Sequence, residues 1–540
     1  MTQALSQFKC NTLRCIAMSI FMFCFVIATQ LHAQVSSSDK AIKTVGVGGD
    51  FLKISDALDS LNAGGFNTGL ILTLLDSSYN EPPLEINRVS PIPYLLIKPA
   101  IGKKPIVHIS SSTAADSIGF LISQTESVIM YDITFVLEQS SFWKNAMKIT
   151  ASPSDISFDT ITIQCNNVPM GIVVSPDGDD SVSFLMRNCS IAGVGGGISI
   201  SGFTSFELKK STINHNNTAA IELFSNGGSI EIKNNICFGN EFAIGGMRGN
   251  LSTAFCLIDS NSITGYENYG VSFDGIYYPE SKRNNNKADF GEVFIRNNTI
   301  SYLIEGGGIM IDTAEYVALN ISGNSIVTQF GSPHGIFVGE NYYSPFMAVN
   351  RNTISNVSNG IEFGYMEVTL DGDAPGTLMI DSNEIHCAKN AIKFDDYVFA
   401  NIEIERNNLT NAGTLPTMLQ ARDKKVITYG VYLIDVDGNF SIRNNTMQNF
   451  FCCISLNSVN NTDYGSDATI SANSMNNTNI GIIVDDEITH DTVKITDNTI
   501  AGPLEGSGIN IIGISGNSLA SIVEISNNSI LGTNPAIIGY

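Results

Sequence analysis

Carboxylates and tyrosines recur at set distances behind a Gly-Ile-type element, and both residue types suit work on a sugar. One such stretch holds Asp274, Tyr277, Tyr278 and Glu280, and another holds Glu340, Tyr342 and Tyr343. Later ones hold Tyr365, Asp371 and Asp373, then Asp395, Asp396 and Tyr397, then Asp435 and Asp437, then Asp485, Asp486 and His490. Counted from the glycine or its equivalent, the fourth following residue is acidic at Asp274, Asp312, Asp395 and Asp485. Glycoside hydrolysis needs two carboxyls roughly 5–9.5 Å apart. Tyrosine rings stack on sugars. Asp395, Asp485 and Asp486 are therefore the candidate catalytic acids. Asp274, Tyr277, Tyr278, Glu340, Tyr342, Tyr343, Tyr397 and Asp435 are the candidate substrate contacts. The competing reading is a solvated acidic face that keeps the chain soluble. Asp177-Gly-Asp179-Asp180 and Asp371-Gly-Asp373 could give calcium the several oxygens that a hard cation takes, with Asp177, Asp179, Asp371 and Asp373 as its ligands. Neither matches an EF-hand, and no other cofactor is indicated.

The elements that must position these residues form a repeat. An apolar residue is followed three positions later by Asn and five later by Ile, Leu or Met, as in Ile295-Arg-Asn-Asn298-Thr-Ile300 and Ile495-Thr-Asp-Asn498-Thr-Ile500. Thirteen copies begin between Met186 and Ile525, at a mean spacing of about 28 residues. Cys189 and Ser211 replace Asn in the first two. Between copies lies a Gly-Ile-x-apolar element, as at Gly308, Gly335, Gly360 and Gly481. Both elements alternate apolar and polar residues and are rich in β-branched side chains, which is strand patterning.

One coil of two or three short strands cannot bury its own apolar face, whereas stacked coils share a continuous core. Asn is expected at the turn of each coil, where it tolerates a left-handed bend and can hydrogen-bond its counterpart in the next coil. The leucine spacing and helix of leucine-rich repeats are absent, and a propeller blade needs four strands per repeat. The expected fold is all-β, a right-handed parallel β-helix. Asp50–Gly64 reads as a helix with an N-cap Asp and a terminating Gly, placing Phe51, Ile54, Leu58 and Leu61 on one face. Such a helix would cap the first coil.

Lys9 and Arg14 precede an apolar run from Ile16 to Ala28, followed by Leu31-His32-Ala33. This is the pattern of a secretory signal peptide cleaved near Ala33, and the run is shorter than the roughly 20 residues that span a bilayer. The expected organisation is a signal peptide over 1–33, a cap with the first coils over 34–110, and repeats over 111–540. No transmembrane segment is expected in the mature chain, whose location would be extracellular, cell-surface or periplasmic. A formal charge of −23 excludes sequence-independent nucleic-acid binding, which needs clustered Lys and Arg. Seven cysteines follow the signal, an odd number with no C-x-x-C pair, so they read as buried apolar residues.

Thr44-Val-Gly-Val-Gly-Gly-Asp50, the helix after it, Leu70-Ile-Leu-Thr-Leu-Leu75 and the Asn-rich coils together resemble the pectin lyase-like superfamily. More narrowly, the chain is similar to secreted right-handed β-helix repeat proteins of bacteria. The resemblance covers residues 42–540 and implies fold, not activity, because that superfamily mixes lyases, hydrolases, esterases, epimerases, adhesins and phage fibres. Asn461-Thr-Asp463 with Asp485-Asp486 resembles the Asn-x-Asp and Asp-Asp motifs of polygalacturonases, which implies catalytic roles for Asp463, Asp485 and Asp486. The Gly-His-Gly and Arg-x-Lys motifs of that family are missing. Three functions follow as expectations: a surface module binding a polysaccharide or surface glycan in the manner of an adhesin, a polysaccharide lyase or glycoside hydrolase using the loop carboxylates, or an architectural envelope component. Oligomeric state is not encoded in any of these patterns.

Overall fold

The apolar residues that alternate along each repeat point to one side of a strand, and the chain closes that side on itself. The computed structural model describes residues 41–539 apart from 67–68, 88–93, 112–116, 124–125, 139–140, 151–154, 177–181, 216–218, 225, 240–241, 266–267, 279–289, 304–305, 371–373, 414–426, 458–466, 486–491, 503–506, 512–521 and 533–536. The chain is an all-β parallel solenoid, and the leader expected over 1–33 lies outside the described residues. A representative coil has strands Gly291–Arg296, Thr299–Leu303 and Ile309–Glu315. Each pairs parallel with its counterpart one coil on: Ile295 with Ile321, Ile300 with Ile326, and Ile311 with Val338.

The first apolar residue of each repeat forms a buried column. Ile295, Ile321, Val349, Ile380, Ile404, Ile442 and Ile470 are fully inaccessible, and each such side chain contributes on the order of 1.5–3 kcal/mol by leaving water. Aromatic residues follow one another in the same way, Phe158 meeting Phe184 edge to face at 5.7 Å and Phe184 stacking on Phe206 at 5.6 Å. The glycine of the second element marks a close approach. A Cβ on Gly335 would lie 2.3 Å from Ile354 Cγ2 and 2.6 Å from Gly360 O in the next coil.

The asparagines form the expected ladder. Asn298 Nδ2 donates to Asn324 Oδ1 at 3.0 Å and to Ile258 O at 3.0 Å, and the Asn298 backbone N–H also donates to Asn324 Oδ1. Asn324, Asn352, Asn383, Asn407, Asn445, Asn473 and Asn498 repeat the pattern. Ser211 serves in place of Asn by accepting from the Cys189 N–H at 3.2 Å. One expectation is corrected. The left-handed bend falls on the residue before the ladder Asn, at Asn234, Asn297, Arg351, Arg406 and Asn444, where φ is 53–59°. The ladder Asn is free to aim its amide along the solenoid because its neighbour takes the bend.

The only α-helix among the described residues is α1, Ile54–Asn62, which buries Ile54, Ala57, Leu58 and Leu61. It packs against strands Ser78–Glu81 and Leu84–Ile86. Asp50 is not its N-cap. Asp50 Oδ2 instead accepts from the Thr44 N–H at 2.8 Å, and Lys53 occupies the N-cap position without a side-chain cap. The buried Glu81 carboxylate takes over that role, accepting from the Ile54 and Ser55 N–H groups at 2.8 and 3.1 Å. An anion at a helix N-terminus meets both unsatisfied donors and the positive dipole end.

Candidate functional site

The third strand of successive coils continues beyond the Gly-Ile element, through residues that read as loops in the sequence. Asp274 and Tyr277 lie in strand Val271–Tyr277, and Glu340 and Tyr342 lie in Ser325–Tyr342. Parallel stacking supplies backbone partners on both sides, so the strand runs on wherever its neighbours do. The register is explicit: Thr313, Glu340 and Tyr365 share one column, and Glu315, Tyr342 and Glu367 share another. Tyr397 continues the first column, because Met366 N bonds to Tyr397 O and Met366 pairs with Val398.

This stacking assembles five tyrosines into a strip. Tyr316 lies on Tyr343 at 5.0 Å, Tyr343 meets Tyr342 at 6.5 Å, Tyr342 meets Tyr365 at 5.3 Å, and Tyr365 meets Tyr397 at 5.8 Å. Tyr316 and Tyr343 are stacked at 26°, and the other pairs are tilted by 35–40°. Tyr316 and Tyr343 thus cover part of each other's face, and the remaining rings lean against their neighbours. Ring edges and hydroxyls are left at the rim. Tyr342 Oη donates to Glu340 Oε2 at 3.2 Å, and Tyr397 Oη donates to Asp437 Oδ2 at 3.2 Å. Desolvation, with neighbouring carboxylates, raises the pKa of Tyr277, Tyr342 and Tyr365, and pushes that of Tyr397 up to about 12. These phenols stay protonated and act as donors, not bases.

Tyr316 and Tyr343 carry a conformational cost. Both have positive φ, 54° and 55°, a region that bulky side chains rarely occupy. A glycine would fit the bend more easily, so the ring is the feature maintained there.

Beside the strip, on the outer face of the preceding strand segment, lies an ionic cluster. Lys393 Nζ is 3.0 Å from Glu362 Oε1 and 2.7 Å from Asp395 Oδ2. Asn359 Nδ2 donates to Glu362 Oε2 at 2.6 Å. His334 Nδ1 is also 2.6 Å from that oxygen, in ion-pair contact but out of line for a hydrogen bond. Burial opposes ionisation of Glu362, yet His334 and Lys393 hold its carboxyl down at about 2.

The candidate acids are distributed rather than paired. Asp274, Asp312, Gly339, Gly364 and Asp395 occupy one column in consecutive coils. Ile434, Asn457 and Asp485 continue it. Asp395 and Asp485 are thus three coils apart, about 14 Å at about 4.8 Å per coil. The carboxylate nearest Asp395 through a shared partner is Glu362. Asp274 and Asp312 are adjacent, and burial together with Asp312 raises the Asp274 carboxyl above its usual range. Glu340, Tyr342, Tyr343, Tyr397 and Asp435 gather on the strip. Tyr277 and Tyr278 lie at its start, with Tyr278 packed against the core. Asp463, Asp486 and the calcium candidates Asp177, Asp179, Asp371 and Asp373 lie outside the described residues, as does the Asp485 side chain. Among the described residues, no group of three or more His, Cys, Asp or Glu is placed to share a metal ion.

Tyr316, Glu362, His334 and Lys393 escaped the sequence reading as site residues. Tyr316 had a countable signal, since Tyr278, Tyr316 and Tyr343 each stand eight positions after Gly270, Gly308 and Gly335. No helix among the described residues is long and apolar enough to cross a membrane. No protein-family model and no curated protein matches this chain.

Proposed function

We propose that this chain is a secreted or cell-surface module that binds carbohydrate along the Tyr316–Tyr397 strip. The observation that carries the reading is the strip's rim, where protonated phenols and carboxylates alternate over consecutive coils. Such a row offers donors and acceptors together, which matches the paired character of sugar hydroxyls. The rings do not form the flat platform that stacking on sugar faces requires, so edge-on hydrogen bonding is the mode this geometry supports. The test is titration of the chain with neutral polysaccharides, beside Tyr365→Ala and Tyr397→Ala variants. Binding by the parent that is lost in both variants supports the reading. Binding that survives in both overturns the strip as its site.

An enzymatic reading, as a polysaccharide lyase or glycoside hydrolase, draws on one observation. Asp274 and Asp312 stand in neighbouring coils, and burial together with the Asp312 charge raises the proton affinity of Asp274, as a general acid requires. Mass spectrometry of polysaccharide digests with the parent and Asp274→Asn decides it. Products that vanish in the variant would make the chain an enzyme.

A further inference from the structure

We propose that Lys393 joins Asn359 through an intramolecular isopeptide bond, formed with loss of ammonia and with Glu362 carrying the protons. The inference stands apart from whatever the tyrosine strip binds.

The cluster holds a nucleophile, an electrophile and a proton carrier together. Lys393 Nζ lies 3.0 Å from Glu362 Oε1, and Asn359 Nδ2 donates to Glu362 Oε2 at 2.6 Å. One carboxylate therefore touches both the nitrogen that attacks and the nitrogen that must leave. Asn390 Nδ2 donates to Asn359 Oδ1 at 3.0 Å. That bond polarises the carbonyl and meets the negative charge that develops on its oxygen. The two partners also fix which way the Asn359 amide faces, since a carboxylate takes a donor and the Asn390 amide nitrogen offers one. Asn390 is held in turn, its Oδ1 accepting from the Tyr429 N–H at 3.3 Å. Asn359 pairs with Asn390 and Glu362 with Lys393, so the register of two adjacent coils assembles all four. Asn359, Glu362 and Asn390 are buried, which limits competition from water.

A second place in the solenoid shows what is particular here. Lys233 and Asn297 also share a carboxylate, that of Asp259, at 3.3 and 2.9 Å. Yet the Lys233 side chain is 36% exposed and Asn297 lies at the surface. The Lys393 side chain is 15% exposed.

The reaction balances without an oxidant or a cofactor. Glu362 Oε1 takes a proton from the Lys393 ammonium, and the electron pair freed on Nζ attacks Asn359 Cγ. Glu362 passes the proton to Nδ2, the Cγ–Nδ2 bond breaks, and Nζ sheds a second proton. The departing ammonia takes that proton and leaves as ammonium. One ammonium and one primary amide become one secondary amide and one free ammonium. The flexible four-carbon stem of lysine allows Nζ to turn from the carboxylate to the amide carbon. Burial favours the neutral amine, but Asp395 and Glu362 on balance hold Lys393 charged, so the reaction is slow.

The experiment is mass spectrometry of the purified chain, intact and after trypsin, before and after prolonged warm incubation in mildly alkaline buffer. Lys393→Arg, which keeps the charge, and Glu362→Gln run beside it. The parent should lose the mass of one ammonia. It should also yield a branched peptide in which 352–389 is joined to 390–406 through Asn359 and Lys393. Neither variant should do so. A parent that keeps its full mass and gives only linear peptides overturns the inference. So does an ammonia loss that persists in Lys393→Arg, because Asn359-Gly360 can close to a succinimide without any lysine. Loss of water, with Lys393 joined to Glu362 or Asp395, overturns Asn359 as the electrophile. The branched peptide forming undiminished in Glu362→Gln overturns Glu362 as the proton carrier.

Discussion

Tyr397 donates its phenolic hydrogen to Asp437 Oδ2 one coil further on, at 3.2 Å. The same ring packs against Tyr365 in the coil before, so one side chain ties the strip in both directions. Tyr397→Phe should keep the stacking and lose the hydrogen bond. It should weaken ligand binding severalfold while changing stability by about 1 kcal/mol or less. Calorimetric titration and thermal melting of the same preparation separate the two effects.

Tyr343 offers a sharper separation. Its ring stacks on Tyr316 at 5.0 Å, worth about 0.5–1.5 kcal/mol, but its left-handed backbone costs about 1–2 kcal/mol for a residue with a Cβ. Tyr343→Gly should therefore leave stability within about 1 kcal/mol of the parent and still impair ligand binding. A large loss of stability on denaturant unfolding would show that the ring is a packing element first.

The buried Glu362 carboxyl, at about 2 against an ordinary 4.5, makes the fold sensitive to acid. A carboxyl depressed by folding stabilises the native state above its unfolded value, and that contribution drains away as pH falls toward 2. The full effect is about 3 kcal/mol. Glu362→Gln should destabilise the chain at neutral pH, because Lys393 loses one of its two counter-charges, and should flatten the decline in melting temperature below about pH 4.5. Melts of parent and variant across that range check the sign.

Asn352 tests the ladder. It is 1% exposed, donates to Ile321 O and Asn383 Oδ1, and accepts from Asn324. Asn352→Ala strands buried polar partners above and below, and should cost about 2–4 kcal/mol. Asn352→Ser should cost less, because Ser211 already fills a rung by accepting from the Cys189 N–H and taking Asn235 Oδ1 through its backbone N–H. Hydrogen exchange at the rung amides would rank the two variants.

The fold was legible because its rule is local and repeated. Every coil restates the same spacing of Ile, Asn and Ile, and stacking alone buries that pattern. The bend was misassigned to the ladder Asn because Asn so often fills both positions, as at Asn297-Asn298 and Asn444-Asn445. Arg351-Asn352 and Arg406-Asn407 separate the roles, since Arg cannot stand on the ladder. The strip was half legible. Glu340, Tyr342, Tyr343, Tyr397 and Asp435 stood out by type, but which of them meet depends on register. The glycine count aligned Asp395 with Asp485 and said nothing of the coils between. The Glu362 cluster was hidden for a related reason: His334, Glu362 and Lys393 belong to three coils and meet only through stacking.

Because every rung of the asparagine ladder presents the same donors and acceptor, a whole coil is an interchangeable part. A segment running from one ladder Asn to the next, such as 353–383, can be removed or duplicated with Asn352 still facing an asparagine, and the apolar columns still in step. A single-residue insertion within one of its strands has no such freedom, since it turns the residues that follow in that strand to the opposite face. Inheritance can therefore lengthen or shorten this molecule in whole coils far more readily than it can reshape one. The number of carboxylate-bearing steps along the strip is the property such a change would adjust first.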